Sequence, residues 1–374
     1  MRFLFMGDAS NLHNTLAREL RRQGHEAVVV SGGSAWMDTG RDITLRRKPG
    51  KWGGACYLAR LLTLLPRMRG YDVVEIAGQV FLSLRPEKIK WVFDYLKRHN
   101  KHVILSALAT DHNYYKACHD GHTFRYSDYM IGDKPSPYVN SDEYRAQQQD
   151  NWDAPAMRDL SQHITTQVDG VAACLWEYYV TYRPLVERTV HTGIPIDTDA
   201  LTMRPLEAEP EKLKFFLGLQ RDRMVVKGTD RLFEAAKRVV DRYPEQCELK
   251  VVENVPYDEY VRLMRDSHVI LDQLYSYTPA TNALLGMAQG LVAVSGAEPE
   301  YYDMIGECDN CPIINVSPLI EGDIDAKLEW LVAQKSHLPD LARASRDFVV
   351  KHNSASIVAQ KHLELASSLK GDGI

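Results

Sequence analysis

Residues 271–302 read LDQLYSYTPATNALLGMAQGLVAVSGAEPEYY, and their order of patterns decides the fold of the second half of the chain. The apolar run His268–Leu271 leads into this stretch as a strand, and a polar loop with one proline follows. Within Ala280–Gln289, residues Ala283, Leu284, Met287 and Ala288 recur at helical spacing, and Gly290 ends the helix. Leu291–Val294 is then a short buried strand. The unit is βαβ, so its loops lie at the C-terminal edge of a parallel sheet, where open α/β sheets bind ligands. A helix N-terminus at that edge attracts phosphate.

At 374 residues the chain exceeds one ordinary core, and two domains of about 180 residues each are expected. A composition 45% hydrophobic and 25% charged is that of a globular protein. The net charge of −5 argues against a nucleic-acid partner. No apolar run is long enough to cross a bilayer, and Met1–Met6 leads into a polar loop instead of a signal sequence, so a cytoplasmic location is expected. Four of the six cysteines are scattered; Cys308 and Cys311 form one Cys-x-x-Cys, which lacks the second pair of a structural zinc site and reads as a reduced loop pair.

The N-terminal half alternates in the same way. Arg2–Met6 is a strand, Gly7–Asn11 a loop, Leu12–Gln23 a helix closed by Gly24, and Glu26–Val30 a second strand. The loop lacks Gly-x-Gly-x-x-Gly, which disfavours a dinucleotide site. Ser31–Trp52 carries Arg41, Arg46, Arg47 and Lys48, and Gly54–Arg69 is an amphipathic helix. A weak peripheral membrane contact is conceivable there, but a solvated loop and a core helix are the favoured reading. Tyr71–Ile76 and His102–Ala107 are strands around the helix Pro86–Asn100, and Leu108–His112 follows at the ligand-binding edge. Asn113–Asp153 is irregular, a pattern common in lids. Its Tyr114, Tyr115, Tyr126 and Tyr129 either stack on a ligand ring or pin the segment down. The irregular spacing of Asp111, His112, His119, Asp120 and His122 matches no metal motif, and no metal is expected.

Ile196–Pro210 reads as a linker. The strand Lys212–Leu217 then leads through Gly218, Arg221, Arg223 and Lys227-Gly228 into a helix ending near Tyr243. Glu248–Val252 is the next strand and Glu253-Asn254-Val255-Pro256 its loop.

The Gly286-Met287-Ala288-Gln289-Gly290 helix end, the Gly218–Gly228 loop and the Thr192–Asp197 turn together resemble the GT-B glycosyltransferases, particularly the retaining family 4-like group, and the resemblance covers nearly the whole chain. It implies an α/β fold of two Rossmann-like, doubly wound domains facing across a cleft. Residues 1–196 would form the acceptor-side domain, with a C-terminal helix of about 354–374 packing back on it, and 197–353 the nucleotide-sugar-binding domain. The implied activity is transfer of a sugar from a nucleotide diphosphate sugar to a glycan or lipid-linked acceptor, retaining and metal-independent, with no cofactor beyond the co-substrate. The alternatives are a non-catalytic GT-B-like partner subunit and another GT-B-like enzyme such as a sugar-nucleotide epimerase.

By the same resemblance Lys227 and Arg221, or Arg223 in its place, would neutralise the pyrophosphate, and Glu253, Asn254 and Val255 would meet the base. Asp111 and His112 are the reacting-side candidates, with Gly7, Asp8 and Asn11 near donor and acceptor. The family's paired glutamates, eight apart, would fall on Thr278 and Gly286, neither of them acidic. A substitute is therefore expected: Glu298 for the ribose hydroxyls, an amide from Asn282, and Thr278 toward a phosphate or sugar hydroxyl, with Glu300 a solvated loop acid.

Overall fold

The structure is a computed structural model that describes residues 1–33, 40–147, 151–204 and 206–369. It divides into two compact units, Met1–Lys116 with Asn151–Pro195 and Ala355–Ile374, and Ala117–Asp150 with Ile196–Ser354. The last five residues of the expected terminal helix fall outside the described residues.

The chain begins β1 (Arg2–Met6), α1 (Leu12–Arg22), β2 (Glu26–Ser31), β3 (Ile43–Thr44), α2 (Gly50–Leu64), β4 (Val73–Ala77), α3 (Pro86–His99), β5 (His102–Ala107) and α4 (His112–His119). A small antiparallel pair, β6 (Met130–Ile131) and β7 (Lys134–Pro135), precedes α5 (Asp142–Gln147). Then come α6 (Pro155–Thr165), β8 (Gly170–Ala173), α7 (Trp176–Tyr182) and β9 (Thr189–His191). The sheet of the first unit is parallel, in the order β3-β2-β1-β4-β5-β8-β9. The chain runs outward from β1 on one side and resumes at β4 on the other, so the switch point lies between these two strands, at the Gly7 and Gly78 loops. Gly7 needs its lack of a side chain: its φ is +86°, and a Cβ would meet that of Ala77 at 2.9 Å. Phe3, Phe5, Leu16, Leu20, Val29 and Ile104 form the core.

The second unit continues with β10 (Leu213–Gly218), α8 (Met224–Lys227), α9 (Thr229–Arg242), β11 (Cys247–Val252), α10 (Tyr257–Arg265), β12 (Val269–Leu271), α11 (Thr281–Ala288), β13 (Val292–Ser295), α12 (Pro299–Ile305), β14 (Ile314–Asn315), α13 (Asp323–Ala333) and α14 (Leu338–Asn353). Its sheet is parallel in the order β11-β10-β12-β13-β14, and its switch point lies between β10 and β12. The final helix, α15 (Ala355–Ser368), packs in the first unit against α1 and β8.

Two readings change. The segment read as an irregular part of the first domain contains helix and hairpin, and residues 117–150 group with the second unit. The reason is packing: Tyr126, 1% exposed, stacks on Tyr277 at 4.7 Å, so this tyrosine pins the segment and has no face for a sugar. The expected loop through Arg221–Lys227 is also more ordered than read, with a 3-10 turn at Arg221–Arg223 ahead of α8.

Candidate functional site

The first unit places two poorly solvated carboxylates, half-buried Asp8 and buried Asp111, on loops at the C-terminal edge of its sheet. Asp8 follows β1 and accepts the His13 N–H at 2.9 Å, at the start of α1. Burial pushes its carboxyl up to about 7, although the His13, Asn14 and Ala9 amides oppose the rise. Asn11 holds a left-handed φ of +64°, a conformation asparagine tolerates. After β5, Asp111 accepts the Tyr182 hydroxyl at 2.5 Å and the Tyr114 N–H at 2.9 Å. Its carboxyl is pushed up to about 6, again by burial. Gln79, from the loop after β4, donates to the Tyr182 hydroxyl at 2.8 Å, so two edge loops converge on one phenol. His112 donates from Nδ1 to the Trp152 carbonyl at 3.0 Å, which leaves Nε2 of the neutral ring as an acceptor.

A buried chain lies behind these loops. His13 Nδ1 donates to the Gly7 carbonyl at 2.8 Å, and its Nε2 is 2.9 Å from Ser106 Oγ. Ser106 donates to Glu75 at 2.9 Å, and His362 of α15 donates to the other Glu75 oxygen at 2.9 Å. The attraction of His362 and His13 holds the Glu75 carboxyl below its usual range against burial, and burial pulls His13 down. This network ties α15 to the sheet beneath the Gly7 loop.

In the second unit the switch point holds a half-buried cation whose ammonium is largely desolvated. Lys227, at the end of α8, lies with Nζ 3.4 Å from Gln220 Oε1. Burial pulls its ammonium down, opposed chiefly by the charge of Asp272, the residue that follows β12. The Asp272 carboxyl is pushed up by burial and held back by Lys227, the Asn282 side chain and the Ala280 and Ala283 amides. One of its buried oxygens, Oδ2, has no partner. Asp272 therefore already occupies the N-terminus of α11, where the sequence pointed to phosphate. Asn282 accepts the Tyr260 hydroxyl at 2.7 Å. Gly218 is required beside it, because a Cβ there would fall 1.9 Å from the Tyr260 oxygen.

The structure brings Arg221 and Glu253 together and ties them to each other: the guanidinium donates bidentately at 2.8 and 2.9 Å. Arg221 is 72% exposed, so in this geometry Lys227 is the more deeply placed cation of the loop. Asn254 takes a left-handed φ of +53°, and Val255 is half-buried beside it. Thr278 is buried, and its carbonyl accepts from Gln273 at 3.5 Å.

Glu298 is not a free acceptor here. One carboxylate oxygen accepts from Tyr126 at 2.8 Å and Asn315 at 3.1 Å, and the other from Arg125 at 2.7 Å. Glu300 also pairs with Arg125, at 3.0 Å, so it is not simply solvated. Gly286, one of the two positions expected for the family's glutamates, has no room for a side chain, because a Cβ there would meet Ile270 at 2.8 Å.

Several residues escaped the sequence reading. Asp272 had a visible signal, a carboxylate directly after an apolar strand at the binding edge. Glu75 had one too, as the acid inside Val73–Ala77. Glu143 accepts the Val225 and Val226 N–H groups at 2.9 and 3.2 Å, and nothing in its local sequence marks this. Among the described residues, no three His, Cys, Asp or Glu side chains come together to hold a metal.

No protein-family model matches the chain, nor does any curated protein sequence. Solved structures do match. Sucrose-phosphate synthase from Thermosynechococcus elongatus superposes with a TM-score of 0.64 at 11% identity, over 100% of both chains. HepE from Anabaena, solved in complex with UDP and glucose, gives 0.60 at 12% identity over 98% of this chain and 100% of its own. WaaG, a glycosyltransferase involved in lipopolysaccharide biosynthesis, gives 0.58 at 14% identity over 99% of this chain and 100% of its own. The chain has the GT-B fold, built from two Rossmann-like units.

Proposed function

We propose that the chain is a glycosyltransferase that moves a sugar from a nucleoside diphosphate sugar to a glycan or lipid-linked acceptor, with retention and without a metal. The observation that carries this reading is Lys227, a cation lowered by desolvation at the β10/β12 switch point, beside Gln220 and within the field of Asp272. A cation fixed in a dry site stabilises the charge that grows on a departing diphosphate without reorganising. Burial lowers the proton affinity of Lys227, and a bound diphosphate would restore it, so binding and protonation are coupled. The GT-B fold and neighbours solved with UDP or UDP-glucose support the same reading.

The first unit would serve the sugar and the acceptor. Asp111, Asp8 and His112 are the groups able to accept hydroxyl protons there, and the raised carboxyls of Asp111 and Asp8 suit exchange near neutrality. In the retaining route the departing phosphate takes the acceptor proton, and these residues would orient the hydroxyl. Glu253 and Asn254 remain the candidates for the base. We assign Glu298 to holding residues 117–150 in place, so its influence on donor binding would pass through that segment.

Two observations favour a binding subunit instead: Thr278 and Gly286, the positions the resemblance gives to the paired glutamates, are not acidic, and Asp272 occupies the α11 N-terminus. A panel of nucleotide sugars offered with glycan and lipid-linked acceptors separates the two. The enzyme releases nucleoside diphosphate and extends an acceptor. Stabilisation by a nucleotide sugar with no turnover supports the subunit.

A further inference from the structure

Residues 117–147 of the second unit form a strap with an ordered interior of its own. Tyr129 and Tyr138 are buried, and with Tyr144 they meet edge to face, Tyr138 and Tyr144 at 5.2 Å and Tyr129 and Tyr138 at 5.8 Å. Rings paired in this geometry fix the shape of the strap. Ser136 adds a bond across it by donating to the Asp128 carbonyl. One end is fastened at Tyr277, whose hydroxyl accepts the Arg125 N–H at 2.7 Å. The other end carries Glu143, on the first turn of α5.

Glu143 reaches the loop that follows β10. One carboxylate oxygen accepts the Val225 N–H at 2.9 Å and the other the Val226 N–H at 3.2 Å. Both amides lie in the first turn of α8, where a helix supplies no acceptor of its own, and a helix of four residues has too few internal bonds to stay formed unaided. A further bond holds the same turn from the other side, because the Leu274 N–H donates to the Lys227 carbonyl at 2.8 Å. Lys227 is thus held between Leu274, in the loop after β12, and the strap carboxylate that grips α8 just ahead of it.

We propose that Glu143 is a positioning residue for Lys227: the strap holds α8 through the Val225 and Val226 amides and thereby fixes the ammonium where a diphosphate meets it. The inference rests on the nucleotide site proposed above. A cation that is already in place stabilises an anion without the cost of ordering its loop on binding. Glu143 also carries a charge that opposes an incoming anion, since it lies within the field of Lys227. Holding and opposition predict opposite signs when the carboxylate is removed, so the two are separable. Two charge-assisted bonds to amides at a helix start outweigh a screened repulsion at a half-buried position, and holding is the effect expected to win.

The test compares Glu143→Ala and Glu143→Gln with the wild-type full chain. In ligand-free hydrogen exchange, Glu143→Ala should speed the Val225 and Val226 amides about tenfold and leave β10 and β12 unchanged. Calorimetry with UDP, GDP and ADP should show about tenfold weaker binding of whichever nucleotide the wild type takes. Glu143→Gln keeps one acceptor oxygen and should fall between wild type and Glu143→Ala in both measurements. In a Lys227→Ala background, Glu143→Ala should weaken binding by about twofold or less, because a residue that acts through Lys227 then has nothing to place. Tighter binding by both variants, unchanged exchange at Val225 and Val226, or an undiminished loss in the Lys227→Ala background would overturn the inference. A wild-type chain that binds none of the three nucleotides contradicts the nucleotide site instead, and the ligand-free exchange still decides whether Glu143 holds α8.

Discussion

The two sheets share a topology, yet their ligand-binding edges carry opposite charge problems. At the edge of the first unit desolvation pushes half-buried Asp8 and buried Asp111 up toward neutrality, and the charge of Arg41 near Asp8 does not offset it. At the edge of the second unit the buried group is an ammonium, Lys227, balanced in part by Asp272. The fold supplies the same crevice twice, and the loops decide its chemistry. Burying an ionisable group costs stability, and sites where that cost persists are candidates for function. The contrast with Glu298 is instructive, because that buried carboxylate pairs with the Arg125 guanidinium at 2.7 Å and also accepts from Tyr126 and Asn315.

The largest expected effect belongs to the first unit and is a pH dependence. Folded Asp8 keeps its proton up to about pH 7, whereas in the unfolded chain it releases it near 3.8. Between those values the folded state binds more protons, so stability falls as pH rises through the window, by on the order of 4 kcal/mol for this group alone. Asp8→Asn keeps an oxygen for the His13 N–H and should flatten the decline, giving a higher unfolding midpoint than wild type at pH 8 and little gain at pH 4. A parallel pH profile in the two proteins would mean that Asp8 is ionised at no cost.

Asp111→Asn should come next, with turnover reduced about 100-fold, as expected when the group that orients the acceptor hydroxyl is lost, while nucleoside diphosphate affinity stays within about twofold. Loss of affinity with intact turnover would reverse the roles of the two edges. Lys227→Ala should show the opposite profile, weakening nucleoside diphosphate binding by about 1.5–3 kcal/mol in calorimetry. Arg221→Ala should be the smallest, below about 1 kcal/mol, because its guanidinium is exposed and paired with Glu253. A loss as large as that of Lys227→Ala would show that Arg221 leaves Glu253 for the ligand.

Local pattern made the alternation legible. The strands Arg2–Met6 and His102–Ala107 and the helix spacing of 280–289 depend on neighbours a few residues apart, and they fold as read. The placement of Asp8 and Asp111 was legible because loops after parallel strands lie at one edge of the sheet, whereas Lys227 was singled out through the resemblance. Contacts between distant segments were not. Tyr126 stacks on Tyr277 and Glu75 meets His362 across long stretches of chain, and no periodicity encodes such pairings. The assignment of residues 117–150 to the second unit rests on such contacts. The partners of Glu298 were not legible for the same reason: Arg125, which engages it, is far away in sequence.

Amide hydrogen exchange of the full chain, with and without saturating UDP, GDP or ADP, tests the central claim most directly. One of these should slow exchange in residues 218–228 and 272–282, the loops flanking the β10/β12 switch point, and leave the Gly7 and Asp111 loops unchanged. No protection with any of the three, or protection confined to the first unit, would contradict the assignment of the nucleotide to Lys227.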